Sequence, residues 1–108
     1  MADGNAITVS SGKKSTVKDP QAVLDYPFNW ADWLAGIEDT YASHEFVIAN
    51  PEGAAQPLAV VSSSEDAGVI TAFVSGGTLG LTHGLTCRIT TNGGRVDDRT
   101  LFFKIKDT

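Results

Sequence analysis

Between Gly68 and Lys106 the chain alternates apolar and polar side chains three times over, and this constrains the fold more than any other feature. Ile70, Ala72 and Val74 alternate with Val69, Thr71 and Phe73. His83, Leu85, Cys87 and Ile89 alternate with Thr82, Gly84, Thr86, Arg88 and Thr90. Leu101, Phe103 and Ile105 alternate with Thr100, Phe102, Lys104 and Lys106. A period of two is that of a strand, so strands are expected at Gly68–Ser75, Thr82–Thr91 and Arg99–Lys106. The connectors Ser75-Gly76-Gly77-Thr78-Leu79-Gly80 and Asn92-Gly93-Gly94-Arg95-Val96-Asp97-Asp98 are rich in residues that tolerate positive φ. Both read as turns between antiparallel neighbours. One apolar and one mixed face predicts a sheet half covered by a core, in a register that a one-residue slip would ruin.

The rest of the chain supplies further short strands. Leu24, Tyr26 and Phe28 alternate with Val23, Asp25 and Pro27, and the proline confines that strand to an edge or to its own end. In Asn29–Gly36 the period changes, and a single helical turn is expected there, with Asn29 as cap and Gly36 as stop. It would place Trp30 and Trp33 or Leu34 over one end of the core as a plug. Ile37–Thr40 is a connector, and Tyr41–Asn50 reads as a strand with Phe46 and Ile48 inward. Asn50-Pro51-Glu52-Gly53 has turn composition, and a short strand follows at Pro57–Ser62, with Leu58 and Val60 or Ala59 and Val61 inward. Six or seven short strands and no amphipathic helix of ordinary length make an immunoglobulin-like antiparallel β-sandwich the economical architecture.

Residues 1–17 are polar and small, and read as an N-terminal arm, flexible or docked on a partner, ahead of a sandwich domain at 18–108. Lys18-Asp19-Pro20 marks the boundary. Within the arm, Ala6-Ile7-Thr8-Val9 has strand character without a hydrophobic context, so Ile7 and Val9 are candidates for adding to a neighbour's sheet edge.

Charge narrows the function. A net charge of −5 and a pI near 4.7 argue against a nucleic-acid surface, which needs clustered Lys and Arg. No apolar run has the length of a membrane span, and the N-terminus has no secretory h-region. One cysteine makes no internal disulfide, which fits folding in a reducing cytoplasm.

Candidate chemistry is sparse. On one strand His83 and Cys87 would stand ~13–14 Å apart, too far to share a metal. Cys87 reads as a small core residue, and His83 as a hydrogen-bonded structural side chain where such sandwiches often carry a tyrosine corner. No serine has a base at a recognisable spacing, so no nucleophilic triad is expected. Asp97 and Asp98 are flanked by Arg95 and Arg99, which suggests local ion pairing. The chain is read as non-enzymatic, with neither cofactor nor metal.

Three segments in this order resemble the phage fibre–tail adaptor proteins. They are Lys18-Asp19-Pro20 with Ala22–Tyr26, Phe28, Trp30, Trp33 and Leu34; Ser75-Gly76-Gly77-Thr78; and Arg88–Thr91 with Gly94-Arg95 and Asp97-Asp98-Arg99. The resemblance spans roughly Lys18 to Lys106, and departs from the family at His83, where tyrosine is usual, and at Cys87. It implies an immunoglobulin-like module of the virion tail, assembled in the host cytoplasm in multiple copies, docking a tail or baseplate protein and a tail fibre. Phe73 and Phe102, on the nominally outward face, and the Arg95–Asp97–Asp98–Arg99 loop are then candidate contacts, with Tyr26, Phe28, Trp30, Trp33, His83 and Cys87 as anchors. Two other readings are a capsid decoration protein and a carbohydrate-binding sandwich stacking sugars on Trp30, Trp33 and Tyr41.

Overall fold

The structure, a computed structural model, describes residues 13–107. Seven strands and one short helix follow in the order β1 (Lys13–Lys18), β2 (Leu24–Asn29), α1 (Ala31–Gly36), β3 (Tyr41–Ala49), β4 (Leu58–Asp66), β5 (Val69–Gly76), β6 (Thr82–Thr91) and β7 (Val96–Ile105). They form a four-stranded sheet, β1-β7-β6-β3, facing a three-stranded sheet, β2-β5-β4. This is the expected immunoglobulin-like sandwich, antiparallel throughout except that β1 runs parallel to β7.

The alternation produces the core directly. Ile70, Ala72 and Val74 of β5 face Leu85, Cys87 and Ile89 of β6 and Leu101, Phe103 and Ile105 of β7, all buried. Tyr26 and Phe28 join them from β2, and the Tyr26 and Phe103 rings meet edge to face at 4.8 Å. Each such large apolar side chain stabilises the fold by roughly 1.5–3 kcal/mol. Proline is tolerated at Pro27 because β2 is an edge strand. On β4 the inward residues are Leu58 and Val60, while Val61 is exposed.

Four expectations need correction. First, β5 and β6 are not neighbours. Both edges of β5 are occupied, by β2 and β4, so Gly76–Gly80 carries the chain to the opposite sheet instead of closing a hairpin. Second, Lys13–Lys18 is part of the folded body, since it pairs with Thr100–Ile105. The signal was weak because β1 buries Thr16 and Lys18 rather than apolar residues. Lys18 is tolerated inside because its Nζ donates to the carbonyls of Gly76 (2.7 Å) and Asp19 (2.9 Å). Third, β4 continues through Asp66 and meets β5 in a hairpin whose two turn residues, Ala67 and Gly68, have φ of 51° and 85°. Fourth, β7 starts at Val96, inside what composition marks as a turn. Ile7 and Val9 lie outside the described residues.

Candidate docking surface

One end of the sandwich is closed by α1, the β4–β5 turn and the β6–β7 turn. Asn29 Oδ1 accepts the Ala31 N–H (2.9 Å) and sets the helical turn going; the Trp30 N–H then donates to the Gly68 carbonyl (2.8 Å) and ties the two together. Trp30 is fully buried, with Trp33 half-buried against it at 5.1 Å. The Arg99 guanidinium lies 4.0 Å over the Trp30 ring, and its Nη1 donates to the Asn29 carbonyl. Arg99 is therefore a buried brace rather than a loop contact, which corrects its place among the candidate interface residues. Covered in this way, Trp30 offers no face to a sugar, and the stacking reading loses its principal ring.

Arg99→Ala should lower stability by roughly 2–3 kcal/mol, through loss of the stacked cation and of its hydrogen bond. Denaturant titration followed by tryptophan emission checks this, with a red shift in the native state as Trp30 meets water.

The β6–β7 turn is pinned by Asp39, a residue the sequence showed only as part of a connector. Its carboxylate accepts from Thr91 Oγ1 (2.6 Å), Arg95 Nη1 (2.8 Å) and the Gly93 N–H (3.0 Å). The Thr91 bond and these others outweigh desolvation and hold its pKa down to about 2. Arg95 thus pairs with Asp39, and Asp98 with Arg88 (2.8 Å), which also reaches Glu45 (3.2 Å). Arg95 and Asp98 therefore bond across loops and strands rather than to their neighbours in sequence, because alternation points adjacent β7 residues to opposite faces, while Asp97 and Arg99, two apart, keep an electrostatic attraction. Asp97 is exposed and accepts the Asp98 N–H through its own Oδ1 (2.9 Å).

At the opposite end His83 is buried and hydrogen-bonded on both ring nitrogens. The Thr78 N–H donates to Nε2 (2.9 Å), so the proton sits on Nδ1, which donates to Asn50 Oδ1 (2.8 Å). The same Asn50 oxygen accepts the Leu58 N–H (3.0 Å). His83 is a structural joint between the β5–β6 crossover and the loop after β3. Burial pushes the Cys87 thiol up to about 12, against a smaller pull from Trp30 and Arg99, so it is an inert core group. Among the described residues, no three His, Cys, Asp or Glu side chains cluster so as to hold a metal ion.

The two candidate aromatics do not share a surface. Phe73 is on β5 and Phe102 on β7, each pointing away from the core, so they lie on opposite outer faces. Phe102 is half-buried and packs on Gly84, where an added Cβ would come 3.4 Å from its ring. Phe73 is 43 % exposed, flanked in register by Asp25 and Ser62.

Fold and surface together define a small all-β module whose buried Lys18 and Arg99 bond main-chain carbonyls and whose exposed apolar side chains include Val61 and Phe73 on the strands of one sheet. Residues 18–104 match the family described as podophage GP4 fiber-tail adaptor protein gp77, and the chain belongs to this family. It is accordingly a structural component of the phage virion, of the kind that binds other tail components such as the tail fibre. No curated protein matches it.

Proposed function

We propose that the chain is a non-catalytic adaptor in the virion tail, assembled in several copies in the host cytoplasm. It joins a tail or baseplate protein to fibres by protein–protein docking. The observation that carries this reading is the extent of the family match, which runs from the end of β1 almost to the end of β7. Exposed Phe73 and Val61, on β5 and β4 of the smaller sheet, support it, since a merely solvated sheet has little use for them. Repetition of a modest contact around a symmetric assembly would supply avidity without any single large interface.

Phe73→Asp tests the reading. The isolated variant should keep its melting temperature, because the ring is not part of the core, while its incorporation into particles falls sharply. Normal incorporation would remove Phe73 from the docking surface, and unfolding would show that the ring supports the fold. Phe102→Asp is the poorer probe, since its ring already packs on Gly84.

A further inference from the structure

The edges of the two sheets are protected unequally. The four edge strands are β1, β3, β2 and β4. β1 is rich in lysine, β2 contains Asp25 and the donor-less Pro27, and β3 carries Glu45 at its middle. Charges and prolines of this kind are how natural sheets prevent strand addition. β4 carries its charges, Glu65 and Asp66, only at its last two residues: before them it runs Leu58-Ala59-Val60-Val61-Ser62-Ser63-Ser64, and Val61 to Ser64 are exposed. Its bulge lies between Val60 and Ser62, and from Ser62 to Asp66 the pairing with β5 is regular. Beside this edge the sandwich is open. Phe46 and Ile48 of β3 and Val60 of β4 are only partly buried, because β3 and β4 belong to different sheets and do not pair.

We propose that the β4 edge takes the segment Ala6–Val9 of a second copy of this chain as an added strand. Alternation suits the place: Ile7 and Val9 share one face and would cover the seam of Phe46, Ile48 and Val60, while Thr8 joins Ser62 and Ser64 outside. Chain length excludes the segment of the same molecule. Val9 is four residues before Lys13, a span of at most about 14 Å. Lys13 opens β1, on the far side of its sheet from β3, while β4 lies at the β3 side of the facing sheet, where His44 Nε2 bonds Ser63 Oγ (2.9 Å). With strands ~4.8 Å and sheets ~10 Å apart, a strand outside β4 is more than ~20 Å from Lys13. The donor is therefore another copy, and a contact of arm to edge is heterologous, joining copies into a closed ring or an open row. This deepens the adaptor reading by naming a contact between copies, and it is tested apart from fibre attachment.

The test uses purified full-length chains carrying Thr8→Cys in one preparation and Ser62→Cys or Ser64→Cys in another, mixed and oxidised. Disulfide heterodimers should form at least roughly ten-fold faster than between Thr8→Cys and Lys104→Cys, whose cysteine stands on β7. A Ser62→Lys/Ser64→Lys double variant, still folded by circular dichroism, should lose the self-association that light scattering detects in the parent. Crosslinking at the control rate, association that survives deletion of residues 2–12, or no association of the parent up to its solubility limit would each overturn the proposal. Loss of particle incorporation with self-association intact would instead count against the fibre-docking surface alone.

Discussion

Gly76→Ala is expected to be the most damaging small substitution in this protein, lowering stability by about 3 kcal/mol or more. Two costs coincide there. Gly76 has φ of 81°, where an L side chain is strained by roughly 1–2 kcal/mol. A Cβ would also lie 2.2 Å from the Pro57 carbonyl oxygen, a backbone atom that cannot rotate away. The strand end would have to shift, disturbing the Leu58–Gly76 register and the Gly76 carbonyl that accepts from buried Lys18. Gly80→Ala separates the two costs, since Gly80 has φ of 87° but open space around it. That variant should lose only about 1 kcal/mol. Urea unfolding of both checks the contrast, and equal losses would show that the clash relaxes at no cost.

Acid should weaken the fold through His83, well before its carboxylates titrate. Nε2 accepts the Thr78 N–H, which can only donate, so a proton on Nε2 sets two donors face to face. Burial lowers the pKa of His83 below its ordinary 6.5, and the charge of Lys18 lowers it further. For a base whose pKa falls on folding, the stability is complete above the unfolded value of 6.5. It is lost as pH drops through 6.5 toward the folded value, and no further below that. His44 acts with the same sign, its pKa lowered by burial against the pull of Glu65. Asp39 adds a separate loss at lower pH, between its ordinary 3.8 and its folded value of about 2.

His83→Gln should therefore cost about 2 kcal/mol at neutral pH and flatten the dependence of stability on pH. His44→Gln serves as the comparison, since that ring bonds Tyr41 and Ser63 near the open edge. Urea titrations from about pH 8 to about pH 5 measure both. An unchanged acid slope in His83→Gln would mean that the ring does not carry it.

Much of this was legible from residues that obey a period of two. Alternation marks the inward residues of β5, β6 and β7 and Tyr26 and Phe28 of β2, all of which are buried, and the change of period after Asn29 marks the buried plug residue Trp30. It failed wherever burial is polar. β1 was unreadable because Thr16 and Lys18 go inside, and Asp39 and Asn50 look like any loop residue until the groups they bind arrive from 52 and 33 positions away. The Asp97–Arg99 loop misled for the opposite reason. Adjacent opposite charges suggest pairing, yet a strand sends Asp98 outward to Arg88 and Arg99 inward over Trp30.

The sequence by itself determined that this chain makes strands, which side of β2, β5, β6 and β7 is wet, and that the strands build a two-layer body. Side-chain alternation is local, so one strand carries that information alone. Only the tertiary structure decided which strands are neighbours, and hence that β5 and β6 part company. Only there do Phe73 and Phe102 fall on opposite faces, and the uncharged run Leu58–Ser64 come to lie along a sheet edge. Pairing depends on which backbone edges are still free when the sheets close, a property of the whole chain.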